Sequence, residues 1–464
     1  MQPHAEPDAD VIVVGGGLSG LTCAWRLQQC GLDVLLLESA SRAGGCIGTY
    51  KEDGYLLETG PNSALDTSPL IGRLLQELAI GDAKIVSNPA ASKRFVVRGG
   101  RPMALPMSPL QFLSSGLFST AAKLRLCAEP FLPRGSQSED ETVAAFVHRR
   151  LGDEFLHYAI NPFVGGVYAG RPEQLSLRSA FPRLHALEQR YGSLIRGQWM
   201  GRRARAAEAA TSKHTAAMFS FRGGMETLTI ALAQRLKRIV LNAPASVVQA
   251  GPTTFSMTAG AGGAVRTLSA PALVLAVPAY AAAPLVRLLA PATAAALEDI
   301  PYPPVSVVHT GYEGAAEGHA LDGFGMLVPE CEHRQILGSI FSSTLFHERA
   351  APGHRLLTTF IGGTRQAGLA SLEDGALHAL VRQEHRALLG MEHGPAFQRV
   401  RKWARAIPQY TVGHEQRMQQ VAAAEAALGG LFFCANYRGG ISIGDCIASA
   451  EAIAGRVVAQ LATR

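Results

Sequence analysis

"DVIVVGGGLSGLTCAWRLQQCGLDVLLLE", Asp10 to Glu38, decides the fold. Its first half runs from an apolar, β-branched segment into Gly15, Gly17 and Gly20. It continues into "LTCAWRLQQCG", where apolar residues recur at helical spacing and stop at Gly31. Its second half, "DVLLLE", has the pattern of a short buried strand and ends on an acid, Glu38. Strand, G-x-G-x-x-G, helix, strand and terminal carboxylate in that order form a dinucleotide-binding fingerprint. Gly15 permits the tight turn, Gly17 lets backbone approach a pyrophosphate, Gly20 packs helix on strand, and Glu38 can accept ribose hydroxyls.

Moving outward, "ESASRAGGCIGT" follows at once and carries Arg42, Gly44 and Gly45, a second backbone-exposing loop with a cation close to the expected pyrophosphate. Near the other end of the chain, "FCANYRGGISIGDCIASA", Phe433 to Ala450, is another glycine-rich strand-to-helix turn. One helix N-terminus suffices for one phosphate group. The second turn is therefore expected to serve another part of the same long ligand.

With 464 residues and 47% hydrophobic content, the chain can bury two or three domain cores. Its seven cysteines, Cys23, Cys30, Cys46, Cys127, Cys331, Cys434 and Cys446, form no CxxC pair, which argues against a disulfide framework and for a reducing compartment. "MQPHAEPDAD" has neither signal-peptide nor transit character, so no export signal is assigned. "PALVLAVPAYAAAPLV", Pro271 to Val286, is broken by Pro278 and Pro284 and is too short to span a bilayer. A formal charge of +6 is modest. The basic run "GRRARAAEAATSKH", Gly201 to His214, reads as a solvated linker or as a contact with anionic lipid. Aromatic and basic residues are not interleaved, so no nucleic-acid partner is expected. No metal-ligand spacing, no Ser-His-Asp grouping and no second G-x-G-x-x-G stands out.

The glycine pair after Arg42 resembles that of the amine oxidase, phytoene desaturase and protoporphyrinogen oxidase superfamily of flavoproteins. "GYLLETGPNSAL" (Gly54 to Leu65), "SKRFVVRGGRPMALP" (Ser92 to Pro106), "NPFVGGVYAGRPEQLSLRSAFPRL" (Asn161 to Leu184), "FSFRGGMETL" (Phe219 to Leu228), "GFGMLVP" (Gly323 to Pro329), "FSSTLFHERA" (Phe341 to Ala350) and "NYRGGISIGDCIASA" resemble the protoporphyrinogen oxidase branch in particular. The likeness runs in order from Asp10 onward. Cys46 stands where the amine oxidases commonly have arginine, and the C-terminal turn lacks their flanking aromatic residues.

The resemblance implies FAD, held non-covalently and extended between the two glycine turns, with Gly439, Gly440, Ser442 and Ile443 presenting backbone to the isoalloxazine. It adds Val247 and Trp403 to the cofactor-binding residues; Trp403 reads otherwise as a buried interdomain ring. It implies that Arg94 pairs with a substrate propionate, the alternative being a surface arginine at a strand start. Gly165 and Gly166 would bring backbone close to the pyrrole N–H groups. Leu327 and Phe341 would sandwich the macrocycle, or be plain core. The implied reaction is six-electron oxidation of a porphyrinogen with dioxygen, carried by the flavin N5 with no catalytic side chain and no metal. Two other readings stay open: a coproporphyrinogen with four carboxylates, for which Lys93 beside Arg94 speaks, and a non-redox lipid- or partner-binding relative similar to Rab GDP-dissociation inhibitors.

The expected fold class is α/β: a discontinuous Rossmann-like FAD-binding domain (residues 1–88, 214–277 and 430–464), an α+β substrate domain (89–106 and 278–429) and a helical membrane-binding insert (107–213). Within "MSPLQFLSSGLFSTAAKLRLCAEPFLP", Leu110, Leu113, Leu117, Ala121 and Leu124 fall at helical spacing, with Phe112 and Phe118 off that stripe. The surface is a core helix pair or a monotopic face dipping into one leaflet, with Lys123 and Arg125 at the phosphates. A homodimer, peripheral on the cytoplasmic face of the cell membrane, is the expected form.

Overall fold

The computed structural model describes residues 6–135, 139–205, 216–251, 253–261, 264–314 and 318–463. Most of the basic run at 201–214 lies outside them.

Four continuous apolar runs and one short segment assemble a five-stranded sheet in the order Ile239–Val240, Val34–Leu37, Val11–Val14, Ala272–Leu275, Leu431–Phe433. Every pairing in it is parallel. Parallel sheets are covered on both faces, which is why VIVV, VLLL, ALVL and LFF are uninterrupted rather than alternating. One face packs on the first helix, Leu18–Gln29, on Glu226–Arg235 and on the last helix, Ile443–Ala462. The other face shares its core with Ala279–Val286, Pro291–Glu298, His414–Leu428 and a three-stranded antiparallel meander over Ala245–Ala250, Phe255–Ala261 and Ala264–Ala270. The first and last helices each follow a strand of one parallel sheet, so both begin at its carboxyl edge.

A second, seven-stranded sheet runs in the order Phe397–Trp403, Val305–Glu313, His354–Gly362, Gly338–Ile340, Gly323–Leu327, Lys93–Arg98, Arg101–Ala104. Only Gly323–Leu327 with Lys93–Arg98 is parallel. Period-two alternation splits its residues: Phe95, Val97, Val308, Tyr312, Leu357 and Ile361 face a core shared with Asp374–Leu389. Val96, Val305 and Val307 face the opposite side. The mixed α/β class expected from the sequence is the class observed.

The segment after Arg101–Ala104 is a run of short helices, tied by a buried carboxylate. Glu129 pairs with Arg150, both fully buried, and accepts from Ser193 Oγ at 2.5 Å, Leu194 N at 2.9 Å and Ile195 N at 3.2 Å, capping Leu194–Arg205. The single apolar stripe expected over Met107 to Pro133 is corrected here. Ser115 is extended at ψ 135° and ends Pro109–Ser114; Ser119 then caps a new helix, Thr120–Cys127. The break resets the helical phase. Leu117 and Phe118 turn inward against Val96, with Phe118 stacked on Phe155 at 4.4 Å, whereas Leu110, Leu113 and Leu124 stay 80%, 65% and 66% exposed. Among the described residues, no helix is long and apolar enough to cross a membrane.

Candidate functional site

The first glycine turn is held by contacts that leave no room for a side chain. Gly15 has φ +106°, and a Cβ there would stand 2.6 Å from the Ala276 carbonyl oxygen; one on Gly20 would stand 1.9 Å from the Gly15 carbonyl oxygen. Gly17 differs: a Cβ there would meet nothing within 4 Å, and the residue caps the first helix without a side chain, so the helix N-terminus faces open space. Glu38 is buried at the end of Val34–Leu37. Its Oε2 accepts from Gly16 N at 2.6 Å and its Oε1 from Ala40 N at 2.8 Å. The glycine pair lies back to back with this turn: Gly44 N donates to the Gly16 carbonyl at 2.7 Å, and a Cβ on Gly45 would stand 3.2 Å from Gly17 Cα. Arg42 clasps its own loop, donating to the carbonyls of Ala43, Ile47 and Gly45 at 3.1, 2.9 and 3.2 Å and to Glu226 at 3.2 Å.

Cys46 is solvent-accessible yet surrounded by protein, and burial pushes its thiol up. It lies near enough to Tyr280 and Cys446 to act on both, and burial raises the Cys446 thiol to about 12. Trp403 donates its indole N–H to the Thr59 carbonyl at 2.8 Å, and Thr59 Oγ1 donates to the Cys46 carbonyl at 3.0 Å. The Arg401 guanidinium lies over the Trp403 ring at 4.4 Å, and that of Arg405 over the Tyr280 ring at 4.7 Å.

At the C-terminal turn, Gly439 and Gly440 have φ +83° and +122°. Ser442 and Asp445 cap the last helix reciprocally: Asp445 N donates to Ser442 Oγ at 3.1 Å and Ser442 N to Asp445 Oδ2 at 3.3 Å, just ahead of Ile443. Gly440 N donates to the Tyr410 hydroxyl at 3.1 Å, which donates in turn to the Asn436 carbonyl at 2.7 Å. Two backbone donors expected to face a ligand are thus used within the turn.

The helix Asn161–Tyr168 stands between this turn and the seven-stranded sheet. Its Tyr168 ring lies 6.1 Å from Tyr410, while a Cβ on Gly166 would meet Leu327 Cδ2 at 2.5 Å and one on Gly165 would meet Leu337 Cδ2 at 4.0 Å. Leu327 pairs in register with Val96, placing it on the strand face that also carries Arg94. Arg94 is exposed and enters no ion pair among the described residues, whereas Lys93 is paired with Asp322. The structure thus brings Gly166 and Leu327 together and puts Arg94 on the same strand face as Leu327. It does not bring Phe341 to them: that ring is 1% exposed, in the core with Phe95 at 6.3 Å and His319 at 5.6 Å. Val247 falls in Ala245–Ala250, but its side chain lies outside the described residues. Among the described residues no three His, Cys, Asp or Glu side chains could hold a metal ion.

The family model for flavin containing amine oxidoreductases matches residues 18–458. The chain belongs to that family. Protoporphyrinogen oxidase 2 of Arabidopsis thaliana is 32% identical over 97% of this chain and 94% of the relative. Protoporphyrinogen oxidase of Bos taurus is 33% identical over 97% and 98%. Coproporphyrinogen III oxidase of Bacillus subtilis (strain 168) is 27% identical over 95% and 96%. Among solved structures, a protein from Exiguobacterium sp. 255-15 provisionally assigned as a protoporphyrinogen oxidase superposes with TM-score 0.81 at 23% identity, covering 96% of this chain and 98% of that one. Reduced UDP-galactopyranose mutase gives 0.74 at 15% identity, over 98% and 94%. Both share the fold.

As a flavin containing amine oxidoreductase, the chain is an oxidoreductase whose cofactor is a flavin. Its residues fit one: an open helix N-terminus at Gly17, an anchored carboxylate at Glu38 and a second helix start at the same sheet edge. Tyr280, Tyr410, Cys446, Arg401 and Arg405 also lie around these turns and were not among the site residues expected from the sequence. Tyr280 had a signal, since it follows the end of an inner parallel strand, where ligands of such sheets bind.

Proposed function

We propose that this oxidoreductase is an oxygen-dependent protoporphyrinogen oxidase of tetrapyrrole biosynthesis, holding FAD non-covalently. Protoporphyrinogen IX loses six hydrogens to become protoporphyrin IX, and three molecules of dioxygen become three of hydrogen peroxide. The observation that carries this reading is the near full-length similarity to curated protoporphyrinogen oxidases in a chain whose Arg94, in no ion pair among the described residues, shares a strand face with Leu327, against which Gly166 packs.

The Gly15 to Gly17 turn and the first helix would hold the diphosphate, Glu38 the ribose hydroxyls, and the Gly439 to Ile443 turn the far end of the cofactor. A bound flavin supplies two-electron acceptance and reoxidation by dioxygen, so that three passes account for the six electrons. Gly166 lets the macrocycle approach Leu327 without an intervening Cβ, and Arg94 grips a propionate with two parallel N–H donors, fixing which methylene bridge faces the cofactor. The Lys93 pairing with Asp322 favours a substrate with two carboxylates over coproporphyrinogen with four, because the second cation is already matched.

The exposed side chains of Leu110, Leu113, Leu124, Phe131 and Trp199 support peripheral attachment to a membrane surface, which we read as the cytoplasmic face of the cell membrane. The deciding experiment offers both porphyrinogens to the purified protein under oxygen and follows porphyrin fluorescence and peroxide. A yellow protein with higher kcat/KM for protoporphyrinogen is expected, with FAD left in the supernatant after acid precipitation. Preference for coproporphyrinogen overturns the substrate, and a colourless, inactive protein points to the non-redox binding reading.

A further inference from the structure

The segment from Phe397 to Arg405 carries four cations, and they are held in two different ways. Arg399 is matched to Glu52 at 3.0 Å and Lys402 to Asp374 at 2.8 Å. Arg401 and Arg405 meet no carboxylate among the described residues; each is exposed and sits over an aromatic ring, Trp403 and Tyr280 respectively. A guanidinium held over a ring face by cation–π attraction keeps its charge unmatched and its N–H donors available to an anion.

Both rings lie by the N-terminal glycine loops. Trp403 is bonded to Thr59, which donates to the Cys46 carbonyl, and Tyr280 follows Val277, whose side chain lies against Gly15. Arg42, the cation that the sequence sets next to a diphosphate, directs Nη1 and Nη2 at three carbonyls and at Glu226, which matches its charge. A dinucleotide diphosphate carries two negative charges, and a helix N-terminus offers roughly half a positive charge. A cation without a carboxylate of its own would meet the remainder.

We propose that Arg405 binds the diphosphate of the dinucleotide cofactor, reaching it from the edge of the seven-stranded sheet, with Arg401 adding positive potential nearby. This rests on the FAD reading above. Tyr280 holds the guanidinium and follows Val277, the residue against Gly15, by three positions, which makes Arg405 the principal contact and Arg401 the lesser one.

The test titrates flavin-free protein with FAD and with riboflavin, which lacks phosphate, and follows quenching of flavin fluorescence. Arg405→Gln is expected to weaken FAD at least roughly tenfold, about 1.4 kcal/mol, and to leave riboflavin unchanged. Its FAD affinity should also fall less steeply with salt than that of the wild type. Arg405→Lys keeps the charge and should recover part of the loss. Arg399→Gln, whose charge is already matched by Glu52, is the control and should bind FAD normally. Equal loss of FAD and riboflavin shows that Arg405 acts through folding and overturns the inference. Unchanged FAD affinity with reduced kcat/KM for porphyrinogen assigns the arginine to a substrate carboxylate and also overturns it. A wild type that binds no FAD overturns the cofactor reading itself.

Discussion

Arg349 meets Glu58 at 3.3 Å with both side chains 2% exposed. The carboxylate also accepts from Met225 N at 2.9 Å and Thr49 Oγ1 at 2.8 Å, and the guanidinium donates to Ser220 Oγ at 2.5 Å. The pair thus joins the Thr49 to Glu58 hairpin, the start of Glu226–Arg235 and the turn His347–Arg349. Above about pH 8, where Glu58 is ionised, removing Arg349 strands a buried charge. There Arg349→Met is expected to cost about 3 to 5 kcal/mol in denaturant unfolding, and adding Glu58→Gln should restore part of it. Equal stability of wild type and single variant would show that the pair is not buried in solution.

The same carboxyl makes stability pH-dependent. Burial pushes Glu58 up to about 7, against the pull of Arg349, the Met225 N–H and the Thr49 hydroxyl. Its ordinary value is about 4.3, so the folded state binds this proton more tightly than the unfolded chain. The contribution is complete below about pH 4 and is lost as pH rises through about 7. Wild-type stability relative to Glu58→Gln should therefore fall between about pH 5 and pH 8. A flat difference would mean that the group is ionised throughout.

Gly166→Ala places a methyl group 2.5 Å from Leu327 Cδ2, the movable end of a side chain, so the fold should survive while Leu327 is displaced. The variant is expected to keep its flavin spectrum and raise KM. Leu327→Ala in the same background should bring KM part of the way back, and a double variant no better than the single one separates these residues.

Arg94→Ala should keep the cofactor and thermal stability, because the side chain is exposed and in no ion pair among the described residues. It should lose at least roughly tenfold in kcat/KM, about 1.4 kcal/mol, with Arg94→Lys intermediate because an ammonium lacks the planar fork. Methyl esters of the substrate propionates supply the check: the wild type prefers the free acid and the alanine variant does not.

Liposome flotation tests the apolar surface. Leu110→Glu with Leu113→Glu should release the protein from vesicles, including the fraction bound at high salt, since apolar burial is not screened. Leu117→Glu should unfold it locally instead, because that side chain is fully buried. Undiminished flotation of the double variant would exclude this surface as the attachment site.

The sequence by itself determined the parts whose requirements are local. A strand buried on both faces must be apolar throughout, and a turn with φ near +106° at Gly15 must be glycine, so the order of sheet, turn, helix and Glu38 could be read before any contact was known. The second turn at Gly439 and Gly440 was legible for the same reason. Other placements depended on pairings distant in the chain. Which face Phe341 joins, which way Leu117 turns after the break at Ser115, and whether Arg42 is free or clasped by Glu226 depend on residues remote in sequence. The meeting of Arg405 with Tyr280 is of this kind too: it arises because the edge strand Phe397–Trp403 ends beside the helix that follows an inner parallel strand, and only the packing of the two sheets sets that distance.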